Sequence, residues 1–342
     1  MLLPTSKVFT SRDFALQSGR ILEQLDVAYE TWCSLDADGN NAILLCHGFT
    51  SSPHAAGDES GWWAGLVGPG KAIDTDRFFV VCANMLGSAY GTTGPGSLNP
   101  QTGIPYGPDF PEITTKDIIG TQALLLDDLK IGQLAAVVGF SYGGYLTFEW
   151  AVTYPERMRA LVPVATAIRG RGTPESLDVL RDRFAACPGW NGGHYYGDAK
   201  GSGVLDELSK LRIETLTGYG VAKQLEDTIA DSGERARKMK AMGDQWAEEF
   251  DANTMITLRG ATITFDARPG VGKIEAPVLY ALSRSDALFA PQIAPRTIDL
   301  LQQAGVDATY LEIDSDYGHR GPGVDWQKWA PELKKFLDRH CG

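Results

Sequence analysis

The sequence is short of the features that mark several protein classes. It has five cysteines, Cys33, Cys46, Cys82, Cys187 and Cys341, an odd and scattered set that does not form a disulfide framework. No two share CxxC spacing, so a thiolate zinc site is not indicated; buried free thiols in a reducing, cytoplasmic setting are expected. Basic residues are outnumbered, 31 Lys and Arg against 43 Asp and Glu, for a net charge of −12. Such a chain repels phosphate backbones, which argues against a nucleic-acid partner. No apolar run approaches the ~18 residues needed to cross a bilayer, so no membrane partner is expected. The opening MLLPTSKVFTSRDF lacks a basic start followed by an apolar stretch, so no secretory leader is expected. Internal repeats and low-complexity segments are missing as well.

What remains is an ordinary globular balance. Hydrophobic residues are 43% and charged residues 22% of 342, enough for a sizeable core in one large or two ordinary domains. With 39 Gly and 18 Pro the chain is too rich in turn formers for an all-helical bundle. Short apolar runs recur at Ala42–Cys46, Phe78–Cys82, Ala135–Val138, Leu161–Val164, Val278–Leu282 and Thr309–Ile313, the pattern of strands buried on both faces. Helical patterns lie between them at Thr115–Lys130, Tyr142–Tyr154, Ala294–Gln303 and Trp326–Leu337. Alternation of this kind predicts an α/β fold with a mostly parallel sheet and crossover helices. From about Ile168 to Phe265 the strand rhythm stops, and amphipathic segments such as Asp178–Phe184, Leu205–Thr217 and Glu234–Phe250 replace it. The predicted organisation is a core of residues 1–167 and 266–342 carrying a helical insertion of residues 168–265.

The chemistry centres on Gly139-Phe140-Ser141-Tyr142-Gly143. A bare GxSxG is weak evidence. Here an apolar strand runs into it and a helix runs out, the setting of a nucleophile elbow. A serine needs a base, and in this architecture acid and histidine follow the serine in that order. Of the histidines after Ser141, His194 lies in the insertion and His340 in the tail, whereas His319 follows a strand and precedes Gly321-Pro322-Gly323. His319 is therefore the expected base. Asp286, at the end of the preceding strand, is the expected acid, ahead of Asp314 and Asp316. The N–H groups of Tyr142 and of Phe49, in the His47-Gly48-Phe49-Thr50 loop, are the expected oxyanion donors. His47 itself is expected to be structural, and Trp62-Trp63 more often core than pocket lining.

These features resemble the α/β-hydrolase fold and, within it, the homoserine O-acetyltransferase family. The resembling stretches are GWWAGLVGPGKAIDTDRFFVVCANMLGSAYGTTGPGSLNPQTGIPYGPDFP, EWAVTYPERM, PGWNGGHYY, FDANTMI and DSDYGH, spread over nearly the whole chain. The resemblance implies a Ser141–Asp286–His319 triad, a helical lid and a lid-mediated homodimer. Arg212 and Tyr219 match positions that line the family's acceptor pocket. The chain departs from the pattern at Arg320, where the family has an Asp that receives the acceptor's ammonium; at Tyr142, usually Met; and at Arg169-Gly170-Arg171-Gly172, in place of an Asn-rich segment. These departures direct the expectation toward the family's ester-hydrolysing members, with small acyl esters as substrates and no metal or organic cofactor. The alternatives are an O-acetyltransferase using acetyl-CoA and an alcohol acceptor, and a non-catalytic binding protein on the same fold.

Overall fold

Strand β3 (Ala42–Cys46) is buried at all five positions, and its sequence, AILLC, is apolar throughout because both of its faces meet helices or loops. The same holds for β7 (Ala136–Phe140), β8 (Leu161–Val164) and β9 (Val278–Ser283), which are buried almost without interruption. A computed structural model describes residues 4–197 and 203–342; positions 1–3, at the predicted start of the core, and 198–202, within the predicted insertion, lie outside the described residues. The eight-stranded sheet also contains β1 (Thr5–Ala15), β2 (Ile21–Trp32), β6 (Phe79–Ala83) and β10 (Ala308–Ile313). Two further strands, β4 (Val67–Gly68) and β5 (Ile73–Asp74), form a small separate pair. The order in the main sheet is β1-β2-β6-β3-β7-β8-β9-β10. Pairing is parallel from β6 to β10 and antiparallel at β1–β2 and β2–β6.

Helices cover both faces. On one side α1 (Thr115–Asp128), α2 (Tyr142–Thr153) and α8 (Ala294–Gln303) bury Leu125, Leu146, Phe148, Trp150 and Leu301. Thr114 and Asp117 form a reciprocal cap that starts α1, satisfying donors that a helix end leaves open. On the other side the four-residue α9 (Gly321–Val324) and the terminal α10 (Ala330–Cys341) follow β10, and Leu333 and Leu337 pack with Trp63 and Trp329. Trp63 is thus core, 5.9 Å from Trp329 and 6.1 Å from Phe140 between ring centres.

Between β8 and β9 the described residues form helices and no strand: α3 (Pro174–Ala185), α4 (Val204–Gly218), α5 (Val221–Thr228), α6 (Ser232–Glu249) and α7 (Ala252–Ile263), with short 3-10 turns that include Asn191–Gly193 and Arg268–Lys273. They have their own apolar cluster, including Phe184, Tyr195, Leu208, Trp246 and Phe250. Asp251 caps α7 through the N–H groups of Asn253 and Thr254 and accepts from Tyr195 Oη at 2.6 Å, which accounts for the buried carboxylate in FDANTMI. The segment leaves and re-enters the core at one place. Gly170 N–H donates to Phe265 O at 2.9 Å, Ala267 N–H donates to Ile168 O at 3.1 Å, and Arg169 bridges Asp266.

Candidate active site

The turn after β7 is built for a close approach. A Cβ at Gly139 would stand 2.1 Å from Gly143 O, and one at Gly143 would stand 1.8 Å from Cys46 O. Glycine at both positions lets α2 begin directly against β3 and β7. Ser141, between them, has φ 58° and ψ −113°, a strained backbone for a residue with a side chain. The strain projects its Oγ away from the sheet at the N-terminal end of α2.

His319 reaches that oxygen from the loop after β10. Its Nε2 lies 2.8 Å from Ser141 Oγ and its Nδ1 lies 2.7 Å from Asp286 Oδ2. His319 and Asp286 are 1% and 2% exposed. The other carboxylate oxygen, Oδ1, accepts the N–H groups of Leu288 at 2.7 Å and Phe289 at 3.1 Å. A carboxylate can only accept, so His319 Nδ1 carries the proton and Nε2 is left to receive one from the serine. Ser285 ties the two loops together: its Oγ donates to Ser315 O at 2.7 Å and accepts from Gly318 N–H at 2.9 Å. Asp314 and Asp316 are both exposed and both paired with Arg284, away from the imidazole. Three aromatic rings surround His319, Phe140 at 5.0 Å, Tyr219 at 4.8 Å and Phe289 at 5.6 Å between centres.

The two expected oxyanion donors flank the serine. Tyr142 is the first residue of α2, so its N–H has no intrahelical acceptor. Phe49 N–H makes no backbone hydrogen bond among the described residues, and the Phe49 ring stacks on Tyr142 at 5.9 Å and 6°. His47 holds the loop from beneath: its Nδ1 donates to Gly48 O at 2.9 Å. Burial pushes the His47 pKa down to about 4, so the ring is neutral and structural near pH 7.

Arg212 and Arg320 stand on the side where the helical segment meets these loops. Arg212 Nη1 donates to Thr50 Oγ1 at 2.7 Å, its guanidinium lies 5.1 Å from the Trp246 ring centre, and its Nε is buried without a hydrogen-bond partner among the described residues. Arg320 N–H donates to Tyr219 O at 3.1 Å, and its side chain has no ion-pair partner among the described residues. Desolvation lowers the pKa of both guanidiniums, and Arg320 adds repulsion at Arg212. The cavity beside Ser141 has a volume of about 240 Å³. Phe49, Tyr142 and Tyr219 line it, whereas Arg212 and Arg320 are not among its lining residues; the sequence alone did not single out Tyr145, Arg259, Thr262, Leu288 or Phe289, which line it too. They come from three separate segments, α2, α7 and the loop after β9, and no local spacing links them.

Strand order, elbow and the serine–histidine–carboxylate chain define an α/β-hydrolase-fold protein, and the family model described as alpha/beta hydrolase fold matches residues 41–321. The chain belongs, more narrowly, to the homoserine O-acetyltransferase family. It is 37% identical to the homoserine O-acetyltransferase of Deferribacter desulfuricans over 99% of this chain and 96% of that protein. Among solved structures it is similar to the homoserine O-acetyltransferase from Bacillus anthracis, 28% identical, with a TM-score of 0.88 and all of both chains covered. It is similar to esterase E22 at 27% identity and the same TM-score, over 98% of this chain and 100% of that one. The curated relatives correct one expectation. At 35–38% identity across nearly the whole chain they are named for acetyl transfer, which overturns the ester-hydrolase reading drawn from Arg320, Tyr142 and the Arg169–Gly172 segment. Those substitutions alter what surrounds the serine and leave its chemistry in place, so they do not by themselves select water as the acceptor. No described helix is long and apolar enough to cross a membrane.

Proposed function

We propose that the protein is an O-acetyltransferase of the homoserine O-acetyltransferase type, moving an acyl group from acetyl-CoA to the hydroxyl of a small carboxylate-bearing alcohol. The observation that carries this reading is the relationship to enzymes so named over 99% of the chain. Ser141 Oγ attacks the thioester carbonyl while His319 Nε2 takes its proton. The oxyanion rests on the N–H groups of Phe49 and Tyr142, and Asp286 holds the imidazole in the required tautomer. His319 protonates the departing thiolate, then deprotonates the acceptor hydroxyl, which displaces Ser141. The acceptor's carboxylate lies between Arg212 and Arg320, beside Tyr219. The helices of residues 168–265 act as a lid. This is supported by their contacts with both site loops, Arg212 to Thr50 and Arg320 to Tyr219, and a lid excludes water from the acyl-enzyme. The same helices serve as the surface of a homodimer, which is supported by the exposed Val179 on α3, and the free thiols suit a cytoplasmic enzyme.

The test is thiol release from acetyl-CoA with and without homoserine, together with intact mass. Acceptor-dependent release and an acetyl group trapped on Ser141 are expected. No release with homoserine or any hydroxy acid, alongside rapid hydrolysis of acetyl esters, would overturn the reading.

A further inference from the structure

The loop that carries His319 is held from two sides. On the core side, Gly318 N–H donates to Ser285 Oγ at 2.9 Å and Tyr317 N–H donates to Ser315 Oγ at 3.2 Å. On the other side the loop meets Tyr219-Gly220, the short junction between α4 and α5. Tyr219 caps the end of α4, so its carbonyl has no donor within that helix. It accepts instead from the N–H of Arg320, the residue directly after the base, at 3.1 Å. The Tyr219 ring lies 4.8 Å from the imidazole between centres.

The contact runs backbone against backbone, with a glycine on each side. Gly220 has φ 93°, and a Cβ there would stand 2.5 Å from Tyr317 O. Gly318 has φ 55°, and a Cβ there would stand 3.2 Å from Tyr219 O. Side chains absorb a displacement by changing rotamer, whereas two close-packed chain segments pass it on. The junction moves with the helices beyond it. Leu216, Val221 and Leu225 pack with Met239 and Met242 in a cluster of their own, apart from the cores that flank the sheet. At the rim Tyr317 faces α5, where the Asp227 carboxylate, itself paired with Lys223, raises the pKa of the tyrosine hydroxyl. A movement of α4 and α5 is therefore felt at residues 317–320. The tolerance there is small. His319 Nε2 is 2.8 Å from Ser141 Oγ, such bonds fade beyond ~3.2 Å, and a misplacement of ~1 Å costs about a hundredfold in rate.

Building on the acyl-enzyme reading above, we propose that Gly220, with Tyr317 and Asp227 beside it, positions the catalytic base from the helical excursion, so that His319 is aligned with Ser141 only while α4 and α5 are seated. These three residues act through the 317–320 backbone and touch no reactant. Lid and base are thereby coupled. When the helices lift, the site loses its base at the moment it admits water, and an acetyl group on Ser141 is spared from hydrolysis. A lid that only shut out water would behave in the opposite way, because loosening it would speed hydrolysis.

The experiment uses the full-length protein and its Gly220→Ala, Tyr317→Phe and Asp227→Asn variants. Ser141 is acetylated with p-nitrophenyl acetate in a single turnover, and loss of the acetyl group to water is then followed by intact mass. Gly220→Ala is expected to slow both steps by at least about tenfold, with the half-saturating ester concentration unchanged. It should also weaken the far-downfield 1H resonance of the His319 Nδ1 proton held by Asp286. Tyr317 is half-buried and Asp227 exposed, so their variants keep the fold. Each should slow both steps by about threefold, and they decide the question if Gly220→Ala does not fold. Both steps at the unmodified rate in the folded variants, faster loss of the acetyl group, or a change confined to half-saturation would overturn the inference while Ser141 still takes up acetyl. If Ser141 of the unmodified protein takes acetyl neither from this ester nor from acetyl-CoA, the acyl-enzyme reading falls with it.

Discussion

Asp286→Asn tests the site through a single atom. In the native arrangement Oδ1 of Asp286 accepts two backbone N–H groups, from Leu288 and Phe289, and Oδ2 faces His319 Nδ1. An asparagine must keep its carbonyl oxygen toward the two N–H groups, because the reverse orientation sets donors against donors in a buried loop. Its NH2 then faces His319 Nδ1, which must shed its proton to accept. The proton moves to Nε2, and Nε2 can no longer take one from Ser141 Oγ, 2.8 Å away. The variant should fold, losing about 1–2 kcal/mol of stability as a charge-assisted hydrogen bond becomes a neutral one. Its acylation rate should fall about 10⁴-fold. Stopped-flow release of the thiol from acetyl-CoA measures acylation directly, and thermal unfolding checks the fold. A variant that acylates within tenfold of wild type would refute the assignment of Asp286 and the tautomer argument with it. If Asp314→Asn or Asp316→Asn abolished the reaction instead, the acid would have to be sought on the Arg284 side.

Other outcomes follow from the same geometry. Gly143→Ala should remove soluble folded protein or destabilise it by at least ~3 kcal/mol, because its Cβ would stand 1.8 Å from Cys46 O; chemical denaturation reads this. Arg212→Met should raise the KM for a carboxylate-bearing acceptor by about tenfold to a hundredfold, the worth of a charged hydrogen bond, with little change in the acylation rate seen by stopped flow. His54 loses charge stabilisation to desolvation but regains more from Asp58 and Glu30, and its pKa is raised. Its contribution is therefore full below the unfolded value near 6.5 and is lost as pH rises through the folded value. His54→Gln should cost about 1 kcal/mol at pH 6 and less at pH 9 in urea unfolding.

The parallel strands were legible because burial on both faces leaves an uninterrupted apolar run. Ala42–Cys46 and Leu161–Val164 coincide with β3 and β8, and Val278–Leu282 falls one residue short of β9. The β1–β2 hairpin was not legible for the opposite reason. β1 buries none of its eleven residues fully, and its pairing from Thr5 with Thr31 to Ala15 with Ile21 is held by the ladder, by side-chain bonds such as Ser6 to Glu30 and Thr10 to Asp26, and by the half-buried Phe9 and Phe14. β2 did carry a trace of itself in the buried Leu22, Leu25, Val27 and Tyr29, but that spacing slips out of strict alternation. In the site, Ser141, His319 and Asp286 could be ordered along the chain because each ends a strand. Arg259 and Thr262 could not, since α7 places them over the cavity only once its helix has packed on the core.

The junction at Ile168–Gly170 and Phe265–Ala267 has a consequence for how such a molecule changes over generations. Two chain passages held side by side by paired backbone hydrogen bonds fix the ends of everything between them, so the entropy of closing that excursion grows only slowly with its length. Helices can be lengthened, shortened or exchanged beyond the junction without shifting the register of β8 or β9. The residues the excursion brings to the cavity beside the serine, Arg171, Tyr219 and Arg259, can then be rewritten as a set. The reaction would be inherited through the sheet, while the choice of reactants is revised in a module hung from it at one seam.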